Sequence, residues 1–235
     1  MSKAPTILAL DTSTDACSVA LLSAEGCVQR FEQAARQHTK RLLPMVDDVL
    51  AEAQLTLNDV DCIAYGAGPG SFTGLRICLG VVQGLAFSVN KPVVGVSTLG
   101  AMALQAAEEY EVSRCHVIQD ARMSECYEGI WERVGDTVIP VLSDRLISPD
   151  QIEVFTADEV IIGTGFEMIN DAQRRSAGTK FKGQIDPQAA FIARLAVEAF
   201  VRGDADLADD VEPVYLRNEV SWKKRVKLVD QFKSS

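Results

Sequence analysis

Cationic surplus is what this chain most conspicuously lacks. Lys and Arg number 23 against 33 Asp and Glu, a formal charge of −10 over 235 residues. An acidic body repels phosphate backbones, so autonomous nucleic-acid binding is not expected of it. Histidine is nearly absent. His38 and His116 stand without a second His or a Cys at metal-ligand spacing, so both read as structural residues. The six cysteines form no C-x-x-C pair, and most lie in apolar runs. They read as small buried side chains in a reducing compartment. No unbroken apolar run approaches the ~18 residues of a membrane-spanning helix, so no membrane contact is expected. No Ser-His-Asp or Cys-His set can be assembled from local signatures, which speaks against a peptidase. The start runs from Met1 into a short apolar segment ended by Asp11, a first strand rather than a secretory signal. A cytoplasmic protein is the expectation.

Hydrophobic residues make up 47% of the chain and charged residues 24%, enough for a full core in one large domain or two lobes. Ile7-Leu8-Ala9-Leu10 has the unbroken apolar character of a strand buried on both faces. Cys17 to Leu22 and Cys27 to about Glu32 predict two more strands, joined by a turn at Ala24-Glu25-Gly26. Leu42, Val46, Val49, Leu50 and Ala53 recur at helical spacing, and Pro44 predicts that regular helix begins only near Leu42. A strand from Val60 to Tyr65 leads into the glycine-rich loop Gly66 to Gly74. A long helix to Val89 comes next, then a strand from Val93 to Val96.

The order β-β-β-α-β-α-β predicts a mixed sheet flanked by helices, a ribonuclease-H-like lobe. After Ser97 the pattern restarts less cleanly. A helix is expected over Leu99–Glu109, strands near His116–Gln119, Glu125–Arg133 and Val160–Ile162, and a last helix over Pro187–Val201. The fold class expected is α/β, two-lobed. Residues 1–98 form the first lobe, 99–220 a smaller second lobe, and 221–235 a tail whose Lys223, Lys224, Arg225 and Lys227 are basic.

Two segments could carry chemistry. Asp11, Thr12, Ser13 and Thr14 come directly after the first strand, where an Asp and hydroxyls could hold phosphate and orient Mg²⁺-bound water. An ordinary polar hairpin turn uses the same residues. Gly68, Gly70 and Ser71 belong to a strand-to-helix turn that could present N–H groups to an anion. The G-K-[ST] ending of a P-loop is missing, and tight packing would need the same glycines.

The helix beyond that loop is apolar nearly all round. Leu75, Cys78, Leu79, Val82, Leu85, Ala86 and Val89 make one face. Ile77, Gly80, Val81, Gly84 and Ser88 make a second, small and greasy face, and Arg76 and Gln83 supply the polar edge. Such a helix is buried on most sides. Either the two first-lobe helices cover each other within the chain or they meet a partner. A partner would be met by Leu42, Leu43, Met45, Val46 and Val49 of the first helix and by Arg76, Ile77, Gly80, Val81, Gly84 and Ser88 of the second.

Asp11-Thr12-Ser13-Thr14, the run from Gly68 to Arg76, Gly84-Leu85-Ala86, Pro92 to Ser97, Asp120-Ala121-Arg122-Met123 and Pro213 to Arg217 together resemble the TsaB (YeaZ) family. The resemblance is strongest over residues 6–100 and weakest over 135–185. It implies an actin/Hsp70/sugar-kinase fold and a part in making N6-threonylcarbamoyladenosine at position 37 of tRNAs that read codons starting with A. It implies pairing with the catalytic paralogue TsaD, with the ATPase TsaE and, indirectly, TsaC as further partners. It also implies a homodimer through the same helices when TsaD is absent, and contact with tRNA only through the complex.

The paralogue carries two metal-binding histidines in Asn-His-Leu-Glu-Gly-His. Here Ser97-Thr98-Leu99-Gly100-Ala101-Met102 stands in that place. A Thr hydroxyl and a thioether do not replace two imidazoles. The expectation is a non-catalytic subunit that binds no cofactor alone, with ATP or ADP and Mg²⁺ at the junction with its partner. The competing expectation is a nucleotide-dependent phosphotransferase or ATPase using Asp11.

Overall fold

In a computed structural model, residues 4–153 and 159–217 are described; the basic tail expected over 221–235 lies outside them. Ten strands and five α-helices are arranged in the order β1 (Ile7–Asp11), β2 (Ala16–Ser23), β3 (Gly26–Gln33), α1 (His38–Glu52), β4 (Cys62–Gly68), α2 (Phe72–Val89), β5 (Val93–Ser97), α3 (Thr98–Glu109), β6 (Arg114–Asp120), β7 (Cys126–Val134), β8 (Thr137–Ile147), β9 (Glu159–Ile162), α4 (Asp171–Ala177), β10 (Phe181–Gly183) and α5 (Ala189–Arg202) among the described residues.

The strands form two five-stranded sheets, β3-β2-β1-β4-β5 and β10-β9-β6-β7-β8. In the first, β1 pairs antiparallel with β2 and parallel with β4. In the second, β6 pairs antiparallel with β7 and parallel with β9. Read outward from β1 and from β6, the two sheets have one topology: a hairpin meander on one side, parallel crossover strands on the other. This is the duplicated ribonuclease-H-like lobe of the actin, Hsp70 and sugar-kinase class, as the sequence order predicted.

β1 is central because Ile7, Leu8, Ala9 and Leu10 alternate between two apolar layers. Leu8 and Leu10 join α1 and α2 through Leu42, Val46, Val49, Cys78 and Val82. Ile7 and Ala9 face the other way, onto Ala189, Ile192 and Ala193 of α5. The last helix therefore crosses back to the first sheet, and residues 204–215 stay with it. Asp206 bridges Val93, and Val214 N–H donates to Ala67 O at 2.8 Å. The expected second lobe of 99–220 is corrected accordingly: its sheet ends at β10, while α5 and residues 204–215 pack on the first lobe.

Other expectations also shift. α1 starts at His38 and holds Pro44 inside it. The N–H that Pro44 lacks would have reached the carbonyl of Lys40; both residues lie on the exposed side, where water serves that carbonyl. β4 runs to Gly68, so the glycine-rich segment begins as strand. β8, α4 and β10 were not foreseen. β8 carries Pro140, and register shifts at Ile130 in its partner β7 blur the alternation that marks a strand. Five cysteines are buried as expected, but Cys27 is exposed; all six are free thiols.

Both histidines are buried. His38 Nε2 donates to Thr14 O at 3.0 Å, and burial holds its pKa below the ordinary value. His116 is paired through Nε2 with Glu128 at 2.8 Å, and Arg145 reaches the same carboxylate at 2.7 Å. Burial pulls the His116 pKa down, but hydrogen bonds to Glu128 and Glu159 outweigh it and leave the value raised.

Candidate functional site

The Asp11–Thr14 turn and the Gly66–Gly74 segment are brought together, as the sequence suggested, but as a packed joint. Thr12 Oγ1 donates to Gly74 O at 2.8 Å, and Ser71 N–H donates to Ser13 O at 2.7 Å. Asp11 Oδ1 accepts from Ser13 N–H at 3.0 Å and from Ser13 Oγ at 2.9 Å. Thr14 Oγ1 donates to Asp186 at 2.8 Å.

The glycines make this closeness possible. A Cβ at Gly66 would fall 1.9 Å from Asp11 Oδ2, one at Gly70 2.6 Å from Ser13 O, and one at Gly74 1.9 Å from Thr12 O. Gly68 adopts φ +112, which side-chain-bearing residues rarely do. Ser71 caps α2 by accepting from Gly74 N–H at 3.3 Å. Asp11, Thr12 and Ser13 are buried, and they bond to one another and to the loop. Burial lifts the Asp11 carboxyl to a pKa of about 7, so it is half protonated near neutrality. Of the seven residues to which the sequence pointed, Asp11, Thr12, Ser13 and Gly68 are buried in this joint, Thr14 and Gly70 are half-buried and Ser71 is exposed. Packing alone accounts for the glycines at 66, 70 and 74.

Thr98 and Met102, at the positions where the sequence pointed to lost metal ligands, sit at the interlobe joint. Thr98 Oγ1 donates to Pro69 O at 2.9 Å, and Gln119 Nε2 donates to Met102 Sδ at 3.2 Å. Both are 1% exposed. A Cβ at Gly100 would meet the Trp131 ring at 3.0 Å, a contact that the ring would have to yield to.

α2 divides as its sequence pattern predicted. Leu75, Cys78, Leu79, Val82 and Ala86 are buried against the lobe's own core. Gly80, Gly84 and Ser88 are exposed, and Ile77 and Val81 are half-buried. Nothing lies within 4 Å of a Cβ built on Gly80 or Gly84. The first helix does not seal this face. Leu43, 47% exposed, lies open, but Leu42, Met45, Val46 and Val49 are no more than 2% exposed. Those four belong to the lobe's own core, and their expected place on a partner surface is corrected. Met45, three residues after Leu42 and four before Val49, shares their inward face by regular helical spacing.

By length and composition alone α2 would also suffice to cross a bilayer, although the sequence holds no unbroken apolar run of that size. A core helix passes that test as well, and the inner face of α2 is packed on β4.

Sequence reasoning missed the aromatic group at the start of α2. Phe72 is 50% exposed, its ring lies 5.3 Å from that of Tyr215, and the Arg76 guanidinium stacks on Phe72 at 3.8 Å. Arg76 Nε donates to Tyr215 Oη at 2.9 Å. Tyr215 stands far along the chain, and no local pattern couples it to residue 72.

A duplicated sheet with a closed joint between its lobes defines a two-lobed α/β protein of the actin-like class. Residues 30–197 match the family model for "TsaD: tRNA N6-adenosine threonylcarbamoyltransferase". The chain is 39% identical over 227 residues to the tRNA threonylcarbamoyladenosine biosynthesis protein TsaB of Escherichia coli (strain K12), covering 93% of this chain and 97% of that one. It is 40% identical over 230 residues to the protein of the same name from Haemophilus influenzae, covering 93% and 96%. Among solved structures, YeaZ from Pseudomonas aeruginosa superposes with a TM-score of 0.80 at 38% identity, over 90% of this chain and 100% of that one. A second, described as an uncharacterized protein with similarity to peptidase YEAZ from the same organism, gives a TM-score of 0.83 at 39% identity, over 91% and 100%. The chain belongs to the TsaB family.

Proposed function

We propose that the chain serves tRNA threonylcarbamoyladenosine biosynthesis as a non-catalytic, cytoplasmic subunit that docks the outer face of α2 on the catalytic paralogue TsaD. The observation that carries this reading is the bare stripe of Gly80, Gly84 and Ser88, flanked by Ile77 and Val81, on a helix whose opposite face is already buried. A stripe of small residues lets a second helix backbone approach closely, and the flanking apolar side chains supply burial worth roughly 25 cal/mol per Å². Leu43, Phe72, Arg76 and Phe87 are exposed around it and would border the contact. The modified position is the adenosine at position 37 of tRNAs reading codons that start with A. TsaE and, indirectly, TsaC complete the set, and a homodimer through the same face stands in when TsaD is absent.

The non-catalytic part rests on positions 98, 100 and 102. Thr98 and Met102 are buried and bonded to the chain's own groups, and Gly100 is pressed on Trp131. The phosphotransferase alternative would need Asp11 ionised and open to a Mg²⁺-bound phosphate. Its burial, its bonds to Ser13 and its raised pKa all weigh against that. ATP or ADP with Mg²⁺ at the partner junction, and tRNA contact through the complex, would draw their ligating groups from the partner.

Co-purification with TsaD tests the reading. Gly84→Leu should abolish pairing while the isolated variant stays folded. Equal recovery of the complex with the variant would place the interface elsewhere. ATP turnover by the isolated chain, lost in Asp11→Ala, would restore the enzyme reading.

A further inference from the structure

Two segments that the proposed function leaves unused, Asp120–Met123 and Pro213–Arg217, meet in space. Residues 204–217 leave α5 and run across the first lobe. Asp206 exchanges two backbone hydrogen bonds with Val93 at 2.9 Å, Tyr65 Oη donates to Glu212 O at 3.1 Å, and Val214 N–H donates to Ala67 O. Tyr215 then rests on Phe72 and Arg76 of α2.

Two residues on, the segment changes lobes. Arg217 donates to Ala121 O and Arg122 O, each at 3.3 Å, to Met123 Sδ at 2.8 Å and to Glu125 Oε2 at 2.5 Å. All four acceptors lie in the turn between β6 and β7 of the second lobe. That turn is itself unusual. Arg122, Met123 and Ser124 have φ of 64, 55 and 63, three successive non-glycine residues in the left-handed region. Such a conformation is disfavoured for L-residues and persists only where surrounding contacts hold it. Within the turn, Arg122 N–H donates to Asp120 Oδ1 at 2.7 Å. The turn is also closed by Ala121 N–H to Glu125 O at 2.9 Å and Glu125 N–H to Arg122 O at 3.1 Å, and from the C-terminal segment Arg217 holds it.

The placement matters because of where the lobes are otherwise joined. β6 comes after α3 through a short turn and runs back antiparallel to it, so the β6–β7 turn lies toward the N-terminal end of α3. At the other end of α3, Glu108 is forked by Arg194 of α5 at 2.7 and 2.6 Å. At the crossover itself, Ser97 Oγ donates to Asp144 at 2.5 Å. A hinge through residues 97–98 would leave that last contact nearly unmoved but would separate Arg217 from its turn.

We propose that residues 204–217 are a strap across the interlobe joint and that Arg217 is its latch, restricting rotation of the second lobe on the first. The guanidinium suits this role because two of its nitrogens grip the turn at separate points, Nη2 at Ala121 O, Arg122 O and Glu125 Oε2 and Nη1 at Met123 Sδ, a span that the single nitrogen of an ammonium does not reproduce. The contacts of Arg217 lie wholly within this chain, while Tyr215, on Phe72 and Arg76, borders the α2 face proposed for docking.

Spin labels on the exposed Cys27 and on Ala172→Cys, exposed on α4 of the second lobe away from the crossover, report the interlobe distance in the full chain, since the other five cysteines are buried. Arg217→Ala should broaden the distance distribution and raise amide exchange of residues 121–126 at least tenfold, while exchange in β1 and β4 stays at its original rate. Arg217→Lys, which keeps the charge facing Glu125 but loses the fork, should fall between. An unchanged distance distribution in Arg217→Ala overturns the latch. If that variant does not fold, Arg217→Lys decides: a distribution identical to that of the parent chain overturns it, and a broadened one supports it.

Discussion

Two sets of glycines lie within one stretch of chain and exist for opposite reasons. Gly66, Gly70 and Gly74 stand where any Cβ would collide with Asp11, Ser13 or Thr12. Gly80 and Gly84, further along the same stretch, face nothing within 4 Å. The first set lets the chain close on itself and turns a candidate phosphate turn into a packed joint. The second keeps a helix face flat in a chain that does not use the flatness. A residue type that is structurally demanded in one place and structurally idle in the other marks where the molecule's own needs end, and the idle set is what supports a docking role.

Substitutions can break this contrast, and Gly74→Ala should have the largest effect. Its Cβ would meet a backbone carbonyl, which cannot swing aside, so overpacking of about 1–3 kcal/mol or more is expected in urea unfolding. A loss within experimental error would mean that the joint is looser than its geometry. Gly84→Leu should act the other way round. Pairing with TsaD is lost, while the unfolding midpoint does not fall when variant and parent are compared at a concentration where both are monomeric.

Asp11, buried under Gly66, gives a pH-dependent version of the same comparison. Its folded-state pKa of about 7 lies above the ordinary 3.8, so the folded chain holds the proton more tightly than the unfolded one. The stability this contributes is full below 3.8 and is lost as pH rises toward 7. Asp11→Asn keeps an acceptor for Ser13, so its unfolding midpoint should change less between about pH 5 and pH 8 than that of the parent chain. Parallel pH profiles would show that the joint is not what buries the carboxyl. The smallest effect belongs to Gly80→Ala and Gly84→Ala. Each should stabilise the isolated chain by about 0.5–1 kcal/mol through helix propensity, read as a raised Tm.

Much of this was legible in the residues. The first lobe could be read strand by strand because β1, β4 and β5 are near-continuous apolar runs bounded by polar turns, and the two faces of α2 came from helical spacing. The second lobe was read less well. Pro140 and the irregular pairing of β7 with β8 hide the edge strand, and β10 has only Phe181, Lys182 and Gly183 to announce it. α1 was also misjudged. Leu43 is open as expected, but Met45, given to a partner surface, stands three residues after Leu42 and four before Val49 and so lies on the same inward face.

The amino-acid order by itself settled that two lobes of like topology would form, since strand burial and crossover order are written in local apolar pattern. It also settled that α2 would have two apolar faces. Whether the Asp11 turn was open or closed, whether α5 and the residues after it stayed with the second lobe, and that Tyr215 and Arg217 would bind α2 and the β6–β7 turn were decided only in three dimensions. Each depends on groups far apart in sequence approaching to hydrogen-bond or van der Waals distance. Local periodicity carries no information about which distant partner a side chain will meet.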